Sequence, residues 1–327
     1  MLPNLWFTWE FRKERIDLEF EHVTVLREET VELLLTDPNG VYVDCTLGGA
    51  GHSQLLLSRL TNQARLIGLD QDDRAINYAR ELFAGDERVI IIKENFRYLE
   101  RTLSGLGLLP VKGIMFDLGV SSPQLDEAKR GFSYMQDAFL DMRMDTAAVL
   151  TAYDIVNNWD ERELERIIRK YGEEKWAHRI AQFIVRERTV KPLKRTGQLV
   201  EVIKAAVPAS ARREGPHPAK RTFQALRIAV NDELNVLDQV LDQALSCLAS
   251  GGRVAVITFH SLEDRIVKRR MQSWLGKCTC PKGLPLCRCG AESLARIITR
   301  KPILPSDQEV ENNPRSRSAK LRVAEKM

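Results

Sequence analysis

From residue 41 onward, short runs of β-branched and apolar residues alternate with segments whose apolar positions recur every three or four residues. Runs at residues 41–45, 65–70, 89–92, 113–117 and 253–259 read as strands, and 320–324 can pair as a last one. Between them, residues 72–83 place Ala75, Ile76, Ala79, Leu82 and Phe83 on one helical face. Such alternation builds a parallel sheet with helices on both sides. It stops after Asp117. From about residue 125 to 225 only helical signals occur. Asp160 and Glu163 form a capping box ahead of Leu164, Ile167, Ile168 and Tyr171, with Gly172 closing the helix. Trp176, Ile180, Phe183 and Ile184 make a second amphipathic face, and Thr196 caps a third helix carrying Leu199, Val202, Ile203 and Ala206 to Pro208. One long helix follows, its Leu226, Val230, Leu234, Leu237, Leu241, Leu245 and Leu248 spaced by threes and fours before Gly251-Gly252. The pattern predicts an α/β core made of residues 22–124 and 226–327, an all-helical insertion at 125–225 and an N-terminal extension at 1–21.

Composition narrows the class. With 44% hydrophobic and 29% charged residues, the chain is neither disordered nor a collagen or disulfide scaffold. No apolar run approaches the roughly 18 to 20 residues that span a bilayer. The aromatic stretch Leu5, Trp6, Phe7 and Trp9 precedes Arg12, Lys13 and Arg15, the reverse of a secretory signal's charge order, so the start reads as a cytosolic tail. Four of six cysteines crowd into residues 278–289, which fits reduced thiols in the cytoplasm better than a disulfide framework. Cys278-x-Cys280 and Cys287-x-Cys289 could gather four thiolates as a zinc knuckle or stay free in a hairpin. A four-thiolate site would be closed and structural, so no catalytic metal is expected. A net charge of +4 permits an anionic partner without demanding one. Basic residues do cluster, with Arg186, Arg188, Lys191, Lys194, Arg195, Arg212, Arg213, Lys220 and Arg221 near the insertion and Arg315, Arg317, Lys320 and Arg322 near the end. Such clusters suit a phosphate backbone as well as a solvated surface.

The candidate chemistry sits at strand ends. After the first strand comes Asp44-Cys45-Thr46-Leu47-Gly48-Gly49-Ala50-Gly51-His52, a glycine-rich loop that opens a helix and suits close approach of a nucleoside. The third glycine of a dinucleotide fingerprint is missing, because position 54 is Gln. That disfavours NAD and leaves S-adenosylmethionine, which has no pyrophosphate to cradle. Asp70, about 20 residues on at the end of the second strand, can accept hydrogen bonds from ribose hydroxyls. Phe96 could pack on an adenine ring. Asp117 ends the fourth strand and faces the crevice, where a carboxylate can orient the N–H bonds of an amine during methyl transfer; Ser121, Ser122 and Asp126 could assist it. His260-Ser261-Leu262-Glu263-Asp264 is not a hydrolase triad, since adjacent residues rarely aim at one another; His260 and Ser261 read as pocket-edge residues or a helix cap. A nicotinamide enzyme and a non-catalytic zinc-containing RNA-binding protein remain as other classes.

Several segments together resemble one family, the bacterial S-adenosylmethionine-dependent methyltransferases that modify a cytosine N4 in 16S ribosomal RNA. They are 22–26, 44–53, 116–126, 131–145, 217–233, 258–268 and 313–322, with the phrases HPAKRTFQALRIAVNDEL and FHSLEDRIVK among them. The resemblance implies a Rossmann-like class I methyltransferase core with a helical insertion. It also implies cofactor contacts at Ala50, Gly51, His52, Asp70, Phe96, Asp117 and Gln124, of which Gln124 is not evident from the residues alone. The implied substrate is 16S rRNA near the decoding region, within the small ribosomal subunit, with another nucleic-acid amine as the alternative. Oligomeric state stays open, a homodimer included. Phe139 stands where the family usually has proline, and Asp117-Leu118-Gly119-Val120 does not match the D/N/S-P-P-aromatic motif of many amino-methyltransferases.

Overall fold

A computed structural model describes residues 24–213, 215–276 and 292–327. The extension at 1–21 and Cys278, Cys280, Cys287 and Cys289 lie outside the described residues. Seven strands form one sheet: β1 (Val41–Asp44), β2 (Arg65–Asp70), β3 (Val89–Lys93), β4 (Val111–Asp117), β5 (Leu248–Thr258), β6 (Ala295–Ile297) and β7 (Lys320–Lys326). Their order is β3-β2-β1-β4-β5-β7-β6, parallel from β3 to β5, with β7 antiparallel to both β5 and β6. The order reverses at β1, which pairs with β2 on one side and β4 on the other. In open α/β sheets such a switch point opens a crevice at the carboxyl ends of the strands. This topology is that of a Rossmann-like α/β protein.

Side chains alternate across the sheet because successive Cβ atoms point to opposite faces. Val43, Ile67, Ile114, Phe116, Val254 and Val256 pack against α4 (Leu99–Leu106), α12 (Glu233–Cys247) and α13 (Ser261–Ser273). Tyr42, Leu66, Met115, Ala255 and Ile257 pack on the other face against α1 (Arg27–Leu34) and α2 (Gly51–Arg59). A separate patch of Leu47, Ile76 and Ala79 seats α3 (Asp73–Leu82). Full burial of a side chain such as Phe116 contributes about 2–3 kcal/mol. Burial on both faces explains why the strands read as continuous apolar runs rather than as strict alternation.

Between β4 and β5 the described residues hold helices and one isolated bridge, Phe139 with Arg195. The helices are α5 (Ser122–Asp126), α6 (Ala152–Asn158), α7 (Glu161–Gly172), α8 (Ala177–Val190), α9 (Thr196–Ala206), α10 (Ala209–Arg212) and α11 (Ala219–Asn231). A short α14 (Asp307–Asn312) precedes β7. Helices α6 to α9 and α11 share a second hydrophobic core, which includes Ile155, Leu164, Ile168, Ile180, Ile184, Leu199, Ile203, Phe223 and Leu226.

The helix signals need four corrections. The expected helix from Leu226 to Leu248 is two: Asp232 takes a left-handed φ of 53° between α11 and α12, and the chain enters β5 at Leu248, earlier than residue 253. No glycine or proline marks that break, and Asp is one of the few residues that tolerate it. A boundary at 225/226 therefore falls inside α11, whose Phe223, Leu226 and Val230 all belong to the helical core. Asp160 does cap α7, accepting from Glu163 N at 2.7 Å, but the left-handed residue after that helix is Glu173, not Gly172. Thr196 does not cap α9: its hydroxyl donates to Gln136 O at 2.7 Å and accepts from Ala138 N at 2.9 Å, while Gln198 Oε1 accepts from Lys194 N and Arg195 N. Thr196 thus pins the segment containing Phe139, whose ring stacks on Tyr153 at 5.5 Å.

Candidate active site

The crevice at the β1/β4 switch point is a cleft of about 520 Å³. On the loop side its lining begins at Cys45, directly after Asp44, the last residue of β1. This buried carboxylate accepts from Thr46 N at 3.0 Å and from Ser53 Oγ at 2.7 Å, so it ties the loop to the first turn of α2. Gly48 N donates to Asp70 Oδ2 at 2.9 Å and Leu47 N donates to Leu69 O at 3.1 Å, which bends the loop over the end of β2. Ala50 is left-handed, and a Cβ at Gly51 would run into the Thr24 hydroxyl, so only glycine fits there. Asp70 Oδ1 accepts from Asp72 N at 2.9 Å. Burial pushes the Asp70 carboxyl up to about 6 from an ordinary 3.8, against the pull of these backbone donors.

Asp117 ends β4 on the opposite wall. Its N–H donates to Thr46 Oγ1 at 2.6 Å, which fixes the backbone against the loop. His52 Nδ1 lies 3.8 Å from Asp117 Oδ2, and His52 Nε2 sits 3.1 Å from Val25 O. A carbonyl only accepts, so Nε2 carries a proton. The other carboxylate oxygen, Oδ1, is buried and has no hydrogen-bond partner among the described residues. Burial, then the nearby charges of Asp44 and Glu263, holds the Asp117 carboxyl well above the usual carboxylate range. A buried acceptor without a donor is costly unless a ligand supplies one.

All seven positions expected to contact a cofactor, Ala50, Gly51, His52, Asp70, Phe96, Asp117 and Gln124, line this one cleft. Phe96 follows β3 and meets Phe116 edge-on at 5.6 Å. Gln124 closes the rim: its Nε2 donates to Asp72 Oδ2 at 2.9 Å and its Oε1 accepts from Ser121 N at 3.1 Å. Asp126 is exposed and pairs with Arg315 at 2.6 Å. His260 caps α13, with Nδ1 accepting from Glu263 N at 3.4 Å, while Ser261 Oγ donates to Glu173 Oε2 at 2.5 Å, so no triad forms.

Several residues of the cleft escape the sequence reading. Arg227 is half-buried and grips Glu233 through two bonds of 2.9 and 2.8 Å. Burial raises the Glu263 carboxyl, but the hydrogen bond from His260 and the charges of His260 and Arg227 bring it below its ordinary value. Behind the lining, Arg130 pairs with the cleft residue Asp72 at 2.9 Å and donates to Arg143 O and Met144 O at 3.0 Å each. Asn231 donates to Met142 O and accepts from Met144 N, both at 2.8 Å. Only Glu263 had a visible signal, three residues after a helix-start residue; the others depend on partners about 60 to 90 residues away or across the α11–α12 break.

The grouped basic residues are not one free patch. Arg188 donates to Val156 O, Arg221 to Glu173 O, and Arg195 pairs with Asp137. Lys320 and Arg322 share Asp264. Lys191, Lys194, Arg212, Arg213, Lys220 and Arg317 form no ion pair among the described residues, and Lys220 lines the cleft.

A nucleoside fits this donor and acceptor set: a loop of backbone N–H groups, the Asp70 carboxylate hydrogen-bonded to that loop, an aromatic wall and several carboxylates that would face an adjacent cation. The sequence matches the MraW methylase family over residues 19–327. The chain belongs to the MraW methylase family. It is 58% identical over 311 residues to the ribosomal RNA small subunit methyltransferase H of Brevibacillus brevis, covering 95% of this chain and 99% of that one. The enzyme of the same name from Clostridioides difficile is 56% identical over 311 residues, covering 95% of this chain and all of that one. Among solved structures, a putative rRNA-methylase from Clostridium thermocellum aligns with 93% of this chain and 99% of its own at 12% identity and a TM-score of 0.45. The fold assignment of this MraW methylase rests instead on its own strand order. No helix among the described residues is long and apolar enough to cross a membrane.

Proposed function

We propose that this MraW methylase transfers a methyl group from S-adenosylmethionine to the exocyclic N4 of a cytosine in 16S ribosomal RNA, presented within the small subunit. The observation that carries the reading is the buried, unpartnered Oδ1 of Asp117 at the carboxyl edge of β4, beside a nucleoside-sized loop. S-adenosylmethionine supplies an activated methyl on a sulfonium cation. The chain supplies position. Ala50, Gly51 and His52 form the loop side of the cofactor site, Asp70 accepts from the ribose hydroxyls, Phe96 faces the adenine, and Gln124 closes the rim. Asp117 Oδ1 accepts one N–H of the target amine and holds the nitrogen in line with the methyl carbon. As the N4–C bond forms and the S–C bond breaks, the sulfonium becomes a neutral thioether and the amine sheds one proton toward Asp117. The base must leave its stack to reach this cleft.

Labelled S-adenosylmethionine incubated with small subunits lacking their own modifications tests this. Label in N4-methylcytidine is the expected result. Binding of S-adenosylmethionine without label in cytidine would overturn the substrate assignment.

A further inference from the structure

A second concavity, about 500 Å³, lies between the C-terminal end of α7 and helices α12 and α13. Its floor is apolar, made of Leu234, Leu262, Ile266 and Tyr171, which form one small cluster. Its rim is basic: Lys170, Arg265, Arg269 and Arg270 face a single lining carboxylate, Asp238. Arg270 spends its charge on Asp238 and Asp242 at 2.6 Å each, and Arg265 pairs with Glu173 at 3.0 Å. Lys170 and Arg269 are exposed and form no ion pair among the described residues. The groove and the catalytic cleft share a wall. At the start of α12, Glu233 lines the cleft and Leu234 the groove; at the start of α13, Glu263 lines the cleft and Leu262 the groove.

We propose that this groove holds the rRNA strand flanking the target cytosine, with phosphates on Lys170 and Arg269 and a neighbouring base against Tyr171. The inference rests on the functional reading above and extends it to a part of the surface outside the cleft. A base placed in the cleft carries its sugar and phosphate to the rim, and the next nucleotides must cross one of the walls. The α12/α13 wall leads to a groove with two properties that a single strand uses, cations without a carboxylate partner for the backbone and an aromatic side chain, Tyr171, over whose ring Lys170 Nζ lies 5.5 Å from the centroid. An acidic protein segment would match the same cations, and binding of naked RNA separates the two.

The test uses the full chain carrying Lys170→Ala with Arg269→Ala, and separately Tyr171→Phe and Tyr171→Leu. For the double variant, KM for small subunits should rise about tenfold with kcat within twofold. Its binding to naked 16S RNA should lose about 1.4 from the slope of log K against log salt, two phosphate contacts at about 0.7 each for a single strand. Tyr171→Phe should behave as wild type, and Tyr171→Leu should share the KM defect. Calorimetry with S-adenosylhomocysteine and a thermal melt should match wild type throughout. An unchanged KM and salt slope would overturn the groove, as would a defect confined to assembled subunits with naked RNA bound normally, which would mean a protein contact. A wild-type enzyme that methylates no cytidine would instead sink the functional reading itself.

Discussion

The two sides of the catalytic cleft are held by different physics. On the loop side, backbone N–H groups of Thr46, Gly48 and Asp72 point at the carboxylates that end β1 and β2, Asp44 buried and Asp70 half-buried. On the insertion side, long side chains reach toward the sheet, Arg130 and Gln124 both to Asp72, while Asn231 holds Met142 and Met144 within the helical region. The sheet and the helical region each bury their own apolar faces. Between them lie the small apolar cluster of Ile228, Tyr171, Leu234, Leu262 and Ile266 and, at the cleft, directional polar clamps. Losing one clamp should disturb the site more than it disturbs either core.

Asp117→Ala should lower single-turnover methylation about 10³-fold while the melting temperature holds or rises, because the substitution removes a buried acceptor with no partner. Near-normal turnover would remove Asp117 from the chemistry. Next in size, Arg130→Met should destabilise by about 3 kcal/mol, since it strands the buried Asp72 carboxylate. Adding Asp72→Asn should recover part of that loss, because Asn can still cap α3 at Arg74 N. Chemical denaturation of the two single variants and the double variant measures the coupling, and strict additivity would show that the pair is not a clamp.

A smaller effect distinguishes the loop side. If ribose hydroxyls bind only the ionised form of Asp70, S-adenosylhomocysteine should bind about tenfold more weakly at pH 5 than at pH 7.5, given a carboxyl at about 6. Without ligand the sign is opposite. A folded value raised above 3.8 means the native state holds the proton more tightly, so this stabilisation is present below pH 4 and lost as pH rises through about 6. Asp70→Asn should flatten both dependences, and titration calorimetry with pH-dependent melts reads them. Least of all, Phe139→Pro should change stability by no more than about 1 kcal/mol. The Phe139 carbonyl, which accepts from Asp141 N, is kept, while the ring stack on Tyr153 is lost.

Much of the sheet was readable from β-branched runs because a parallel strand buried on both faces tolerates little else. The Gly-rich loop, Asp70 and Asp117 were readable for the same reason: each directly ends a strand, and strand ends in this topology converge on one crevice. The insertion-side residues were not. Arg130, Asn231 and Arg227 look like ordinary helix or loop residues until their partners are brought in from distant segments. Thr196 shows the same limit locally, since a residue suited to a cap bonds instead to the strap at Gln136 and Ala138.

The sequence by itself determined the element types of the core and which carboxylates stand at strand ends, because hydrophobic period and turn chemistry act over a few residues. Only the tertiary structure decided where α11 gives way to α12, which basic residues keep their charge free, and how the helical region is locked over the cleft. Those outcomes depend on pairing between groups far apart in the chain, and no local propensity encodes the distance between Arg130 and Asp72 or leaves Asp117 Oδ1 without a donor.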